Sequence, residues 1–502
     1  MKSKIHINAI SSLIQAIITS IIIFVSYKYL IARLGMEKLG VWSLIVASAS
    51  ILNIGNLGLS STIVKYIAKY LVYDDHDKIS SIIQTALITI LIVSLFLLGL
   101  VYILANILLK AIVPENLMPL ATKLLPYSLI NIGIILQASI ALSALDGIQK
   151  IYIRNILLIS SSILFLSLII IFVPMFDLLG VVYAQIAQSI FTLALSWYLL
   201  KRVFSFLPII PYRWSKNTFF EIIGYSANLQ LVTILQLLFE PVTKTLLTKF
   251  GGLTAVGYYE IANRFVLKVR ELIVSVFQVL IPVYATHVEK NIENIKMIYS
   301  KSLNYILFIA MPVFSILLII LPIISLFLIG RFERLFYTFG FILIIAWFIN
   351  ILTVPAYHAY LGKGTLRWNV LGHFIILILN LAFSYTFGLM FGSLGTIIGW
   401  ALALSIGSLL IFFNFNLEHK LSFNEIIIKE NKKLFLVNSF AFISIILVNI
   451  LFTHLIHDIF ANAVFPLTFI VISFYFIWNH SIRRELSHSV KRLLSNEGII
   501  NF

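Results

Sequence analysis

The sequence predicts an all-α integral membrane protein of about fourteen transmembrane helices, arranged as two six-helix lobes followed by two C-terminal helices. Three observations lead there. Of 502 residues, 61% are hydrophobic and only 11% charged, with a mean hydropathy of +1.04; soluble domains carry roughly a quarter charged residues. The apolar residues form continuous runs, most of them long enough for a helix to cross ~30 Å of hydrocarbon. A β-barrel would instead alternate in segments of about ten residues. Finally, the chain nearly repeats itself at a distance of about 215 residues.

The runs are 8–32, 41–64, 81–105, 119–145, 155–174, 180–200, 223–248, 257–285, 302–328, 337–360, 368–389, 395–415, 434–456 and 464–480, the last being short. The first follows Lys2 and Lys4 as a signal peptide would, but it is too long and lacks a small-residue cleavage site. With the N-terminus inside, twenty-four Lys and Arg residues fall on the cytoplasmic face, from Lys2 and Lys4 through Lys150, Arg154, Lys201 and Arg202 to Arg483 and Arg484. Six fall outside: Arg33, Lys38, Lys110, Lys249, Arg331 and Arg334. This bias places both termini in the cytoplasm by the positive-inside rule. The basic, amphipathic tail 481–502 is suited to lie on the inner leaflet.

Three pairs of segments carry the repeat. RLGMEKLGVW (33–42) matches FGGLTAVGYY (250–259) through Gly35/Gly252 and Gly40/Gly257. FVPMFDLLG (172–180) matches FGLMFGSLG (387–395), and LDGIQKIYIRN (145–155) resembles LGKGTLRWN (361–369). Each pair holds the same place in its half. The unit is six helices, an even number, so the lobes share orientation and are related by a parallel pseudo-two-fold axis. The division is 1–222 for the N-lobe, 223–416 for the C-lobe, and 417–502 for helices 13 and 14 with the basic tail. Such an architecture suits alternating access about a midplane site.

The net charge of +16 would suggest nucleic acid in a soluble protein. Here it reflects basic loops beside anionic membrane lipids, and no nucleic-acid partner is expected. Cysteine is absent, which excludes disulfides, thiol nucleophiles and thiolate metal sites. The loops are short, so no soluble domain is expected on either face. Nothing resembles a phosphate-binding glycine loop, a nucleophile elbow or a zinc motif. His287, His358, His373, His454 and His457 show no ligand spacing. An enzyme, a metal site and a cofactor are therefore not expected.

The unusual stretch is ANRFVLKVRELIVS (262–275), four ionisable groups inside a membrane run. At helical spacing Glu260, Arg264, Lys268 and Glu271 fall on one face, with Arg270 to one side. Each charge facing lipid at the helix centre would cost roughly 2.5–3.5 kcal/mol, so the stripe must face protein or water. The neighbouring run adds Glu240 and Lys244 at i,i+4, with Pro241 between them. Lys123 and Lys28 lie near the outer ends of runs 4 and 1. The bland reading pairs Glu260 with Arg264, Lys268 with Glu271 and Glu240 with Lys244. The functional reading makes Arg264, Lys268, Arg270, Lys123, Lys244 and Lys28 contacts for an anion, phosphate above all. Glu240, Glu271 and Glu260 then balance charge or couple transport to an ion. The amides Asn53, Asn56, Asn131, Gln137, Gln185, Gln188, Asn228 and Gln236 more often join helices than line a cavity.

ARLGMEKLGVWSL (32–44), NLGLSSTIVKYIAKY (56–70) and GIQKIYIRN (147–155) resemble the polysaccharide-biosynthesis flippases, which move O-antigen-type repeat units. These belong to the multidrug/oligosaccharidyl-lipid/polysaccharide exporter superfamily. The resemblance implies an isoprenoid-diphosphate-linked oligosaccharide, carried from the inner to the outer leaflet of the bacterial cytoplasmic membrane. It also implies proton or sodium coupling, and other polysaccharide-assembly membrane proteins as partners. Asn56 departs from the pattern, standing where many relatives have Asp, so ion coupling is not expected there. The rival readings are a multidrug exporter of the same superfamily, a peptidoglycan-precursor flippase, and a membrane polysaccharide polymerase or glycosyltransferase. The near-absence of acid in runs 1–6 disfavours export of cationic drugs. The short loops disfavour the enzymes.

Overall fold

Hydrocarbon offers backbone amides no partner, so a spanning chain closes its hydrogen bonds within helices. The computed structural model describes residues 2–278, 280, 284, 292–422, 426–437, 471–485 and 487, with backbone alone at 2–6, 9–10, 61, 224–230 and 292–294. Among them the regular elements are all helical. They are α1 (Lys2–Ala49), a 3-10 turn (Ser50–Asn56), α2 (Leu59–Val72), α3 (His76–Ile112), α4 (Met118–Gly147), α5 (Ile151–Phe176) and α6 (Leu178–Val203). Then follow α7 (Lys216–Phe277), α8 (Ile292–Ile329), α9 (Arg334–Ile351), α10 (Val354–Lys363) and α11 (Arg367–Glu418).

Nine helices among the described residues are long and apolar enough to cross a membrane. Three of them are two spans each. A straight helix of the 52 residues of α11 would be ~78 Å long, far beyond one bilayer. It breaks at Gly392 (φ 62°, ψ −138°). α1 breaks at Gly35 (φ 76°, ψ 171°) and α7 at Gly252 (φ 74°, ψ 175°). These breaks fall between runs 1 and 2, 7 and 8, and 11 and 12. Apart from runs 2 and 10, runs 1 to 12 thus coincide with helices over their described residues. Run 434–456 and the tail lie largely outside the described residues and run 464–480 is described only from Val471 onward, while His287, His454, His457 and the side chain of Asn228 lie outside them, so fourteen is not a counted number.

Two runs are not continuous helices. Run 41–64 leaves α1, passes through the 3-10 turn and turns at Leu57 (φ 52°) and Gly58 (φ 69°) before α2 begins. Run 337–360 breaks between α9 and α10 at Leu352–Thr353. Hydropathy sums side chains and is blind to a backbone that stops and restarts.

The internal repeat is written in the backbone. Gly35 and Gly252 share one non-helical conformation. Asp177 (φ 54°, ψ −135°) adopts the conformation of its counterpart Gly392. Gln149 and its counterpart Gly364 both have positive φ, 59° and 73°. The two pieces of α1 and α7 that follow the breaks cross at Gly40 and Gly257. A Cβ on Gly40 would stand 1.8 Å from the Leu253 carbonyl oxygen, and one on Gly257 2.4 Å from that of Met36. The interval that takes Gly40 to Gly257 takes Met36 to Leu253, so the contact is reciprocal. Small residues let two backbones meet in this way.

The chain divides into two compact units. The first comprises Met1–Arg264, Ser325–Phe339 and His373–Ala403; the second comprises Phe265–Ile324, Gly340–Gly372 and the described residues from Leu404 onward. In the first, α6 packs on α4 and α5, and α1 packs on α5. In the second, Tyr299, Leu303, Met311, Tyr360 and Phe415 anchor an apolar core.

Gly40→Ala is expected to destabilise the protein by about 3 kcal/mol or more, the upper end for overpacking, read as a lower melting temperature in detergent. Gly99→Ala, whose Cβ would have no atom within 4 Å, is expected not to lower it.

Candidate functional site

A carboxylate survives away from water only when its lone pairs are filled by strong donors. Glu260, on the second piece of α7, is 1% exposed and meets this demand. Its Oε1 accepts from the Tyr27 hydroxyl at 2.7 Å and from Arg264 Nε at 2.7 Å. Its Oε2 accepts from the Ser43 hydroxyl at 2.8 Å and from Lys244 Nζ at 2.7 Å. Lys244 also donates to Glu240 Oε1 at 2.6 Å and to the Ser43 carbonyl at 3.4 Å. All these residues lie in the first unit. Two carboxylates and two cations make the cluster neutral.

Tyr27 and Ser43 stand on the two pieces of α1, Lys244 and Glu260 on the two pieces of α7. The repeat interval carries Tyr27 to Lys244 and Ser43 to Glu260. The cluster therefore joins two pairs of equivalent positions beside the Gly40–Gly257 crossing. One copy of the repeat supplies hydroxyls and the other supplies the charges. Tyr27 and Ser43 were not anticipated as partners. Extending the glycine register along the chain would have found them.

The remaining charges part company. Lys244, expected among the anion contacts, is 1% exposed and spends its three ammonium donors on Glu240, Glu260 and Ser43, which leaves none for a ligand. Arg264 gives its Nε to Glu260, yet its side chain is 47% exposed. In the second unit Lys268 pairs with Glu271 at 3.0 Å. All three bland pairings thus occur. Arg270 differs: its Nε donates to Asn350 Oδ1 at 2.8 Å and its guanidinium lies 4.9 Å from the Trp347 ring centroid. Asn350 in turn donates to Ser408 at 2.7 Å. Among the described residues no carboxylate lies within salt-bridge distance of Arg270. Lys28 sits 3.7 Å from the Phe327 ring centroid, and Lys123 is exposed on α4.

The membrane amides mostly tie helices together. Asn131 accepts from Ser189 at 2.7 Å, Gln185 from Trp42 at 3.3 Å, and Gln236 meets His373 at 2.8 Å. His358 meets the Phe277 carbonyl at 3.1 Å.

Residues 6–288, more than half of the chain, match the family described as polysaccharide biosynthesis protein. The chain belongs to that family. No curated protein matches it. Solved structures share the fold of this polysaccharide biosynthesis protein at low identity. Lipid II flippase MurJ, in an inward closed conformation, aligns with TM-score 0.68 and 16% identity over 93% of this chain and 97% of that one. An inward-facing MATE family multidrug resistance transporter of the MOP superfamily aligns at 0.62 and 14%, over 80% and 94%. A MOP superfamily transporter from Pyrococcus furiosus, described by the reverse polarity of its binding pocket, aligns at 0.60 and 14%, over 82% and 95%.

Loss of one hydroxyl from the Glu260 cluster is measurable. Tyr27→Phe is expected to cost about 1.5–3 kcal/mol, as for hydrogen bonds to charged groups. Tyr29→Phe, which loses only a 3.3 Å bond to the Ile170 carbonyl, is expected to cost about 1 kcal/mol or less. Thermal melting of the purified protein decides between them.

Proposed function

We propose that this protein is a flippase for an isoprenoid-diphosphate-linked oligosaccharide, moving the repeat unit from the inner to the outer leaflet of a bacterial cytoplasmic membrane by alternating access. Membership of the polysaccharide biosynthesis family supports the class of cargo. The MurJ fold supports the mode of action. The observation that carries the reading is Arg270, a cation in a membrane run with no acid partner among the described residues. A guanidinium has five donors, and Arg270 commits Nε to Asn350. A cation held that way in hydrocarbon is stabilised by an anion, and a diphosphate matches its planar fork.

In this reading Arg270 and Lys268 of the second unit contact the diphosphate or an acidic sugar, and Arg264, Lys123 and Lys28 of the first unit are proposed separately as anion contacts. Glu271, 55% exposed at its side chain, is released from Lys268 when the anion arrives and is a candidate for proton or sodium coupling. Glu240 and Glu260 hold Lys244. The lobes 1–222 and 223–416 supply the moving halves, with both termini cytoplasmic, and other polysaccharide-assembly membrane proteins deliver and consume the cargo.

Deleting the gene in its own host is expected to abolish surface polysaccharide while lipid-linked repeat units accumulate on the cytoplasmic face. Wild type restores export. Arg270→Ala is expected to lower it roughly ten- to hundredfold, the worth of one or two charge-assisted bonds, and Arg270→Lys to fall between. Full export by Arg270→Ala and Arg264→Ala would remove the cationic site from the mechanism. Unchanged surface polysaccharide in the deletion strain would remove the cargo.

A further inference from the structure

The segment joining α6 to α7, KRVFSFLPIIPYRWSK (201–216), contains four cations and no carboxylate. Between the helix ends, residues 204–215 are irregular, yet many of their polar groups are bonded within the protein. Gln84 Oε1 accepts from the backbone N–H of both Tyr212 and Arg213 at 3.1 Å. Thr85 Oγ1 accepts from Ser215 N at 3.2 Å, and Trp214 Nε1 donates to Thr89 at 3.2 Å. Trp197 Nε1 donates to the Ile209 carbonyl at 2.9 Å. Pro208 and Pro211 have no N–H to satisfy. Phe204 and Leu207 are buried and pin the segment from beneath.

These partners also set its depth. Gln84, Thr85 and Thr89 belong to the first turns of the apolar run 81–105 on α3, so the segment lies beside the start of a membrane span. Irregular backbone is tolerated at that level only when its hydrogen bonds are closed by protein. Above this support Ile209, Ile210 and Tyr212 project outward, 73%, 74% and 78% exposed. Arg202, Arg213 and Lys216 are exposed around them and Lys201 is half-buried. Exposed isoleucines, a Trp, a Tyr and cations with no ion-paired carboxylate among the described residues are the chemistry that suits an anionic interface.

We infer that residues 201–216 form a rigid interfacial anchor that inserts Ile209 and Ile210 into the lipid boundary and binds anionic phospholipid headgroups through Lys201, Arg202, Arg213 and Lys216. It pins the connection between runs 6 and 7 to one leaflet, the cytoplasmic one in the orientation proposed above. The anchor does not depend on what is transported.

The native chain has no cysteine, so Ile210→Cys provides a unique nitroxide site in the full protein, with Asp77→Cys as a solvent control. In phosphatidylcholine nanodiscs, with and without phosphatidylglycerol, the label at 210 is expected to relax with oxygen more than with a nickel chelate, and the label at 77 the reverse. Nickel-dominated relaxation at 210 would overturn the anchor. So would shielding from both reagents, which would indicate a protein partner. The variant Lys201→Gln, Arg202→Gln, Arg213→Gln, Lys216→Gln is expected to bind phosphatidylglycerol roughly tenfold or more weakly by native mass spectrometry. Unchanged lipid binding would overturn the headgroup assignment. If that variant fails to melt cooperatively in phosphatidylcholine, Lys201→Gln with Arg202→Gln and Arg213→Gln with Lys216→Gln are compared as pairs, and equal lipid binding by both pairs and wild type overturns it likewise.

Discussion

An ionised carboxylate placed in a low-dielectric interior loses several kcal/mol of solvation even after relaxation. Glu260 recovers this through four donors taken from both pieces of α1 and both pieces of α7. The rest of the first unit's centre is arranged to make that possible. Gly35 and Gly252 break the two long helices in the same way, so that each returns beside itself. Gly40 and Gly257 let the returning pieces touch backbone to backbone. Tyr27, Ser43, Lys244 and Glu260 then converge, because they occupy equivalent places in the two halves of the repeat. A larger residue at either glycine would separate the pieces and leave a charge without its donors.

The charges that hydropathy alone would forbid serve two different ends. Lys244 and Glu260 are sealed and mutually satisfied. Such a neutral cluster fixes which helices meet without requiring a change of protonation. Arg270 has an amide, a hydroxyl behind that amide and an indole ring for company. Arg264 lies between these cases, bonded through one nitrogen and half-exposed. Counting basic and acidic residues along a helix cannot separate the two kinds, because the distinction depends on which neighbouring helix supplies an acceptor.

Much of the fold was legible in the sequence. Composition and run length located the helices, and the matched segments located three pairs of equivalent backbone turns, of which only Gly35 with Gly252 is glycine in both copies, Asp177 with Gly392 and Gln149 with Gly364 having one glycine each. The interruption within run 2 escaped the hydropathy reading, although Gly55-Asn56-Leu57-Gly58 is turn chemistry within an apolar context. The interruption before Val354 was hidden likewise, since Leu352 and Thr353 do not lower the local hydropathy enough to mark it. The i,i+4 and i,i+3 pairs were readable because helix geometry alone brings them together. The long-range partners Tyr27, Ser43 and Asn350 were not, because tertiary packing decides them. The linker 201–216 reads as a basic loop by composition, and only its bonds to Gln84, Thr85 and Thr89 reveal its support and depth.

The most direct test of the account is transport by the purified protein. Proteoliposomes would carry an isoprenoid-diphosphate oligosaccharide in the leaflet corresponding to the cytoplasmic face, and its arrival in the other leaflet would be followed with a membrane-impermeant glycan-cleaving enzyme. The account expects folded protein to accelerate translocation well above protein-free liposomes, and an excess of soluble diphosphate oligosaccharide to slow it. Translocation no faster than in empty liposomes, with protein that still melts cooperatively and under each of a proton and a sodium gradient, would contradict it.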